Sequence, residues 1–112
     1  MNTNRLNAYR IMWVFVLFDL PTETSAERKA ASNFRKDLLK DGFTMHNYSI
    51  YIRHCTSAEN ATVHRQRIKR CIPIKGMVTI LQLTDKQFGD MDIYYGTQKQ
   101  KPTSGPQQLE LF

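Results

Sequence analysis

The stretch IMWVFVLFD, from Ile11 to Asp19, decides the fold. Residues 11–18 are all apolar and do not alternate with polar residues, which is typical of a β-strand buried on both faces. A chain of 112 residues is the size of one compact domain, with enough helix to cover one face of a sheet. We therefore expect the other face of this central strand to pack against a second copy of the chain.

A first helix is predicted shortly after this strand. Leu20-Pro21 ends the strand, because proline has no amide hydrogen to donate to a neighbouring strand. Thr24 and Glu27 have the spacing of a capping box, which marks a helix start, and Gly42 marks the helix end. The apolar stripe of this helix recurs every four residues, at Ala30, Phe34 and Leu38.

Two strands and a second helix follow. Residues 43–54 are rich in Tyr, Ile and Thr and contain no Gly or Pro, which predicts two short strands that meet at a kink near Asn47. Thr56 and Glu59 repeat the capping-box spacing at the start of a helix that ends before Pro73. The apolar stripe of this second helix consists of Ala61, His64, Ile68 and Cys71.

The rest of the chain predicts a last core strand and an extension. Lys75-Gly76 marks a turn before a strand over residues 77–83, and residues 93–95 are expected to form a short edge strand. The element order is therefore βαββαβ with a C-terminal extension strand. Three segments are expected: a flexible N-terminal arm (1–10), a folded α+β domain (11–96), and a tether with a docking segment (97–112).

Charge and hydropathy narrow the class of partner. The chain has 16 basic and 10 acidic side chains, a net charge of +6 and a pI near 9.6, which favours polyanionic partners. Its longest apolar run, residues 11–18, is too short to span a bilayer, so we expect a cytoplasmic protein that does not bind membranes. Cys55 and Cys71 form no CxxC pair, so we expect reduced thiols rather than a zinc site or a disulfide.

Basic side chains on both predicted helices are the candidates for binding a polyanion. They are Arg28, Arg35 and Lys36 on the first helix and Arg65, Lys69 and Arg70 on the second. Such residues often form only a solvated helix face, and that alternative stays open. Because the sequence contains no base-reading motif, we expect contacts to the backbone phosphates of duplex DNA, without sequence preference and steeply weakened by salt.

Asp19 is the candidate catalytic and metal-binding residue, because it is a carboxylate at the carboxyl end of a buried central strand. An aspartate in this position also commonly caps a turn, and this alternative stays open. One carboxylate is a poor site for a hard divalent cation, which prefers several oxygen ligands. If the central strands of two copies face one another, the paired Asp19 side chains can share Mg²⁺ or Mn²⁺ and activate water.

The histidines and tyrosines provide no second catalytic group. His64 lies on the predicted apolar stripe, where a partly buried, hydrogen-bonded histidine is expected. His54, beside Arg53, is a candidate for a phosphate contact, which the sequence does not decide. Tyr48 and Tyr51 alternate in a predicted strand, and we interpret them as core and interface residues rather than stacking platforms for bases.

Five short strings, taken in order and spacing, resemble the CRISPR-associated Cas2 proteins, in the form that accompanies single-protein RNA-guided effectors. The strings are Phe18-Asp19-Leu20-Pro21, Arg28-Lys29-Ala30, Lys40-Asp41-Gly42-Phe43, Tyr48-Ser49-Ile50-Tyr51-Ile52-Arg53-His54 and Thr84-Asp85-Lys86-Gln87-Phe88-Gly89. Each is weakly specific alone, but the five together are hard to obtain by chance. The resemblance runs from about Met12 to the C-terminus.

The resemblance implies a ferredoxin-like protomer that forms a homodimer. It also implies that this dimer lies between two dimers of the Cas1 integrase, in a heterohexamer that inserts new spacers into the CRISPR array. The family's metal-binding acidic residue falls on Asp19, with Mg²⁺ or Mn²⁺ as the cofactor. Arg28 and Ser49 fall in matching strings, and we assign neither a catalytic role.

Two functional hypotheses follow from this resemblance. The leading one is an adaptor that holds duplex DNA and scaffolds the integrase during spacer acquisition. The alternative is a metal-dependent endoribonuclease or endodeoxyribonuclease acting through paired Asp19 residues, because some members of the family cleave RNA or DNA. The chain is expected to belong to a family with Mg²⁺-dependent endonuclease activity under either hypothesis.

The C-terminal pentapeptide Gln108-Leu109-Glu110-Leu111-Phe112 is more apolar than the tether before it. We interpret Leu109, Leu111 and Phe112 as docking residues that add a strand to the other protomer or to the integrase. The pentapeptide also resembles the short motif by which DNA-processing proteins bind the bacterial sliding clamp. A frayed, unbound end is the third alternative.

Overall fold

The computed structural model describes residues 9–100. The strands and helices follow the predicted order βαββαβ and continue with a short helix and a hairpin. Their bounds are β1 (Met12–Asp19), α1 (Ser25–Lys40), β2 (Thr44–Asn47), β3 (Ile50–Cys55), α2 (Ala58–Lys69), β4 (Met77–Thr84), α3 (Asp85–Gly89), β5 (Ile93–Tyr95) and β6 (Gln98–Gln100). No helix in this part of the chain is long and apolar enough to cross a membrane.

The first four strands form one sheet in the order β2-β3-β1-β4, and every neighbouring pair is antiparallel. The predicted central strand β1 therefore lies between β3 and β4. Both long helices pack on one face of this sheet, where their apolar side chains share a core with alternate residues of β1. This arrangement is the ferredoxin-like α+β fold that the resemblance implied.

The helix-side core is built from one stripe of each helix. Phe34 and Leu38 of α1, and Ala61 and Ile68 of α2, are fully buried in it. The predicted stripe of α1 is wrong by one position, because Ala31 is buried and Ala30 is exposed. A helix turns once every 3.6 residues, so positions three and four before Phe34 both flank the stripe, and the sheet selects one of them.

The helix ends follow the sequence signals closely. Thr24 and Glu27 form the predicted capping box at the start of α1, and Gly42 follows its end with a φ of 89°. At the start of α2 the predicted cap is shifted by one residue. Ser57, not Thr56, accepts the hydrogen bond from the backbone N–H of Asn60, at 3.0 Å.

The other face of β1 is covered in part by the chain itself. Phe88 of α3 stacks on the indole of Trp13, with ring centroids 3.9 Å apart and planes 7° from parallel. Trp13 donates its Nε1–H to the carboxylate of Asp85, at 2.7 Å. The expectation that a second copy must cover this face is therefore wrong at Trp13 and at neighbouring Phe15, which are both buried within one chain.

The opposite end of this outer face is not covered by α3. There Leu17 of β1 is half-buried, while Met77 and Leu81 of β4 are exposed. These residues lie on the same face, because Leu81 pairs with Phe15 and Met77 pairs with Asp19 in the β1–β4 register. Three apolar side chains thus remain between the end of β1 and the edge strand β4, with Thr79, which pairs with Leu17, between Met77 and Leu81. We call the surface formed by Leu17, Met77 and Leu81 the outer patch.

The chain continues past the predicted domain end at residue 96. Gln98–Gln100 form β6, which pairs with the predicted strand Ile93–Tyr95 in a separate two-stranded sheet. Gly96, with a φ of 64°, allows the tight hairpin turn between these two strands, which composition alone did not reveal. Most of the predicted arm (1–8) and the docking residues Leu109, Leu111 and Phe112 lie outside the described residues.

Candidate functional site

Asp19 is the last residue of β1 and its side chain is exposed. On one side it pairs with Met77 at the start of β4. On the other side, the backbone N–H of Phe18 donates to the carbonyl oxygen of Ser49, at 3.0 Å, which places the turn between β2 and β3 beside the end of β1. The predicted catalytic carboxylate therefore lies at one end of the sheet, next to the outer patch.

Gly76, in the turn before β4, allows two backbone segments to pack closely at this end of the sheet. It has a φ of 98°, and a Cβ atom at this position would lie 2.7 Å from the carbonyl oxygen of Asp19 and 2.8 Å from Cδ2 of Leu20. Contacts this short do not occur for real Cβ atoms, and the nearest atom is backbone that cannot easily move away. Only glycine therefore allows the turn before β4 to approach Asp19 so closely.

Replacing Gly76 by alanine is expected to lower the free energy of unfolding by about 3 kcal/mol, since strain and a backbone clash add together. Gly96→Ala is the matched control, because Gly96 also has a positive φ but has no atom within 4 Å of its Cβ position. It should cost about 1 kcal/mol. Urea unfolding of both variants measures the difference, and equal losses would show that the clash at Asp19 is absent.

The donor set around Asp19 in one chain does not complete a metal site. Among residues 9–100, no group of three or more His, Cys, Asp or Glu side chains is placed to hold a metal ion. Mg²⁺ and Mn²⁺ prefer several oxygen ligands, and one carboxylate provides only part of such a set. Asp19 therefore does not form a metal site with other acidic, histidine or cysteine side chains of residues 9–100.

Arg28, the first predicted nucleic-acid-binding residue, has bonds within its own loop. Its Nη1 donates to the carbonyl oxygens of Thr22 and Glu23, at 3.2 and 3.0 Å. These bonds tie the start of α1 to the segment that follows Asp19. Arg28 therefore holds the loop after β1 in place, and this contact does not depend on a bound polyanion.

Arg35, the second predicted binding residue, lies on α1 next to the β2–β3 turn. Its guanidinium carbon is 4.2 Å from the ring centroid of Tyr48 and 5.5 Å from that of Phe18. Tyr48 is not a core residue, because it lies in the turn and is 72 % exposed, and its interpretation as an interface residue stays a prediction. Tyr51 is buried as predicted, and burial raises the pKa of its hydroxyl, against the opposing effect of the Arg35 charge.

The remaining predicted basic residues are exposed side chains on the two helices. Lys36 is on α1, Arg65 and Lys69 are one turn apart on α2, and Arg70 caps the end of α2. Arg65 and Lys69 line a cavity of about 260 Å³ beside Ile80 of β4. Arg65 also donates to the side-chain oxygen of Gln82, at 3.4 Å. The helix α2 thus presents adjacent cations toward the β4 edge of the sheet.

The buried histidine His64 is hydrogen-bonded, as predicted. Its Nδ1 lies 2.8 Å from Oδ2 of Asp41, and Arg67 donates to the other oxygen of the same carboxylate, at 3.1 Å. This group ties the C-terminal end of α1 to α2. The side chains of His64 and Asp41 are largely buried, that of Arg67 is exposed, and the three bond to one another, so the group is a structural element of the helix layer.

His54, which the sequence left open as a phosphate contact, packs edge-on against Trp13, with ring centroids 5.2 Å apart. Burial lowers the pKa of its imidazole, while the Asp85 carboxylate opposes that shift. His54 is therefore part of the contacts around Trp13. The structure brings His54 together with α3 and not with the exposed cations of α2.

Sequence reasoning missed the helix α3 and the contacts it makes. The signal was present, because Thr84 and Gln87 have capping-box spacing, and the structure shows both of its reciprocal hydrogen bonds. Sequence reasoning also missed the stack of Arg35 on Tyr48. No sequence signal predicts that contact, because the two residues are on different elements and meet only when α1 packs beside the β2–β3 turn.

Comparison with known proteins decides the family. The family model described as CRISPR associated protein Cas2 matches residues 12–91, from the start of β1 to just beyond α3. The chain belongs to the Cas2 family. The matched region contains Asp19, the Arg35–Tyr48 stack and the cations of α2, so all three belong to the Cas2 domain.

Curated Cas2 relatives are similar over nearly their whole length. The CRISPR-associated endoribonuclease Cas2 of Flavobacterium psychrophilum is 56 % identical over 108 residues, covering 96 % of this chain and 94 % of the relative. The protein of the same name from Parvibaculum lavamentivorans is 54 % identical over 101 residues, covering 90 % of this chain and all of the relative. This Cas2 chain therefore has close relatives that are named as endoribonucleases.

A solved structure described as a crystal structure of Cas2 is similar in fold. It covers 83 % of this chain and 94 % of its own chain, with a TM-score of 0.55 and 18 % sequence identity. At this identity the likeness concerns the fold alone. It agrees with the ferredoxin-like arrangement of β1 to β4 with α1 and α2.

Proposed function

We propose that two copies of this Cas2 chain form a dimer that binds duplex DNA without sequence preference and scaffolds the Cas1 integrase during spacer acquisition. The observation that carries this proposal is the set of exposed cations on α2, Arg65, Lys69 and Arg70, in a chain of net charge +6. Family membership supports a role in a CRISPR system. Side chains of this kind contact backbone phosphates, which carry affinity but no sequence information.

The outer patch supports the dimer. Leu17, Met77 and Leu81 leave an apolar surface beside the edge strand β4, and edge strands with exposed apolar side chains readily pair with another chain. A closed two-fold contact through this patch would cover it in both copies. Because Asp19 pairs with Met77, such a contact would also bring the two Asp19 side chains toward each other.

A second candidate function is a metal-dependent endonuclease, and the exposure of Asp19 beside the outer patch favours it. The curated relatives are named endoribonucleases, which supports the same activity here. In the dimer, the two Asp19 carboxylates would hold Mg²⁺ or Mn²⁺. When bound, that ion would supply Lewis-acid activation of water for phosphodiester hydrolysis. The chain's own contribution is to hold each Asp19 at the end of β1 through the close approach of Gly76.

Asp19→Asn separates the two candidates, because it removes a carboxylate and nearly keeps the side-chain shape. We expect the variant to bind a labelled 30-base-pair duplex with an affinity within about twofold of wild type, since the phosphate contacts lie elsewhere. Any cleavage of labelled RNA or DNA in Mg²⁺ should be lost. Anisotropy and gel assays measure the two properties on the same protein.

Two outcomes of this experiment would change the conclusion. If the wild-type chain does not bind duplex DNA at low salt, the adaptor function fails. If Asp19→Asn loses binding and cleavage together, the nucleic acid is held mainly through the metal, and the endonuclease becomes the better description. Ser32→Asn on α1 is the matched control for an exposed substitution, and it should leave both properties unchanged.

A further inference from the structure

We infer that the C-terminal pentapeptide, residues 108–112, docks in an apolar groove at the start of α1. The groove lies between the first two turns of α1 and the segment 72–75, which joins α2 to β4. Its occupant is a segment of this same chain, outside the described residues. Neither the proposed DNA contacts nor the proposed metal site uses this groove, so the inference does not depend on the proposed function.

The groove has a volume of about 430 Å³ and mostly apolar walls. Its main apolar residues are Leu20, Pro21, Ala26, Ala30, Ile72 and Ile74. Ile72 is 39 % exposed and Ile74 is fully exposed, although they lie in a short connecting segment, where polar residues are usual. Exposed isoleucines beside a cleft are typical of a surface that another segment covers. A cleft of this volume has room for two or three large apolar side chains.

The pentapeptide provides side chains of this kind. Leu109, Leu111 and Phe112 are large and apolar, whereas residues 101–108 contain no large apolar side chain. The other undescribed segment, residues 1–8, has only Met1 and Leu6, which are separated by four polar residues. In an extended segment the two leucines of the pentapeptide point to the same side, so both enter one groove.

The rim of the groove complements the charge of the pentapeptide. Lys75 lies at this rim with its side chain 76 % exposed, and its Nζ is 3.9 Å from Oε2 of Glu27, which is a long and weak ion pair. Glu27 does not need this partner, because its other carboxylate oxygen accepts two backbone N–H groups of the helix cap, at 3.1 and 3.0 Å. Lys75 is therefore available to pair with Glu110 when the two leucines occupy the groove.

The tether is long enough for this contact within one chain. Gln100 pairs with Ile93 and so lies close to Met91, which packs against the cluster around Trp13 near the start of β1. The groove begins at Leu20, directly after the end of β1. The eight residues of β1 span about 26 Å, and the tether residues 101–108 extend to about 26–29 Å. A tether of this length holds the pentapeptide at an effective concentration of about millimolar.

The test titrates a fluorescein-labelled peptide of residues 105–112 into two forms of the full-length chain and follows its anisotropy. One form is wild type, and the other carries Leu111→Ser and Phe112→Ser, which leaves the groove free. The double variant should bind the peptide with saturation. Wild type should bind it more weakly by about fivefold or more, because its own pentapeptide competes for the same groove.

Two further substitutions in the double variant locate the contact. Ile74→Asp should weaken peptide binding by about tenfold or more, whereas Leu39→Asp, the same kind of change at an exposed residue at the other end of α1, should not. Lys75→Glu should weaken binding by about two- to fivefold, the effect of one exposed ion pair, and a peptide with Glu110→Lys should recover this loss.

Other results overturn the inference. Equal peptide binding by wild type and the double variant means that the pentapeptide does not occupy the groove. Peptide binding that survives Ile74→Asp places the contact elsewhere. A peptide that binds the Cas1 integrase or a sliding clamp, but not the double variant, has its partner there. If the peptide does not bind and Ile74→Asp changes the mass of the dimer, a second copy covers the groove. The proposed function is tested separately, because Ile74→Asp should keep duplex affinity within about twofold of wild type.

Discussion

Phe88→Ala is expected to lower the free energy of unfolding by about 3–5 kcal/mol, the range for large-to-small changes of buried aromatic residues. Phe88 is fully buried and stacks on Trp13, so its removal leaves a cavity against the central strand. The total stability of a domain of this size is about 5–15 kcal/mol, so the loss is a large part of it. Trp13 is the chain's single tryptophan and reports directly on the contact.

Two measurements on the same samples check this prediction. Urea unfolding gives the change in stability, and the fluorescence of native Trp13 should shift to the red, because its indole becomes hydrated. Tyr94→Ala is the matched control, since Tyr94 is an exposed aromatic residue nearby in sequence and should change stability by less than about 0.5 kcal/mol. Wild-type stability and emission in Phe88→Ala would mean that α3 does not cover this face of the sheet.

Reversing the charge of both Arg65 and Lys69 to glutamate should weaken duplex binding by about tenfold or more at physiological salt. Both side chains are exposed and lie on the same flank of α2, so the change is not expected to disturb the core. The slope of log affinity against log salt should decrease by about 2 for each copy that contacts the duplex. Anisotropy titrations between 50 and 300 mM NaCl measure both quantities.

The matched control for this variant reverses Lys86 and Lys99, which changes the net charge by the same amount. Lys86 and Lys99 are exposed on α3 and β6 and form surface ion pairs with Asp90 and Asp92, which are worth little. This control should keep the wild-type salt slope. If the control loses as much affinity as the α2 variant, binding depends on overall charge, and α2 is not the DNA-binding surface.

The sequence predicted the face of the sheet that α1 and α2 cover better than it predicted the opposite face. Local signals explain the success: Thr24, Glu27 and Gly42 set the limits of α1, and the apolar run placed β1. The outer face depends on Phe88, which is distant from Trp13 in sequence, and no periodicity connects a five-residue helix to the strand that it covers. The expectation that a second copy of the chain covers Trp13 was wrong, because it assumed that only long helices cover a sheet.

Of the candidate site, the sequence predicted Asp19 but neither the role of Gly76 nor the position of Tyr48. Asp19 followed from its place at the end of an apolar strand, and the structure puts it at that end. The role of Gly76 depends on its close approach to β1, because a Cβ atom at this position would lie 2.7 Å from the carbonyl oxygen of Asp19. Nothing in the sequence indicates this approach. Tyr48 was assigned to a strand together with Tyr51, whereas it lies in the turn that Asn47 closes between β2 and β3.

The most direct test of the central claim is the mass, by gel filtration with light scattering, of the assembly formed with the matching Cas1 integrase and a short duplex. We expect wild type and Asp19→Asn alike to form one complex that contains a dimer of this chain, two integrase dimers and DNA. A chain that stays a free monomer in the presence of integrase and duplex would contradict the adaptor function.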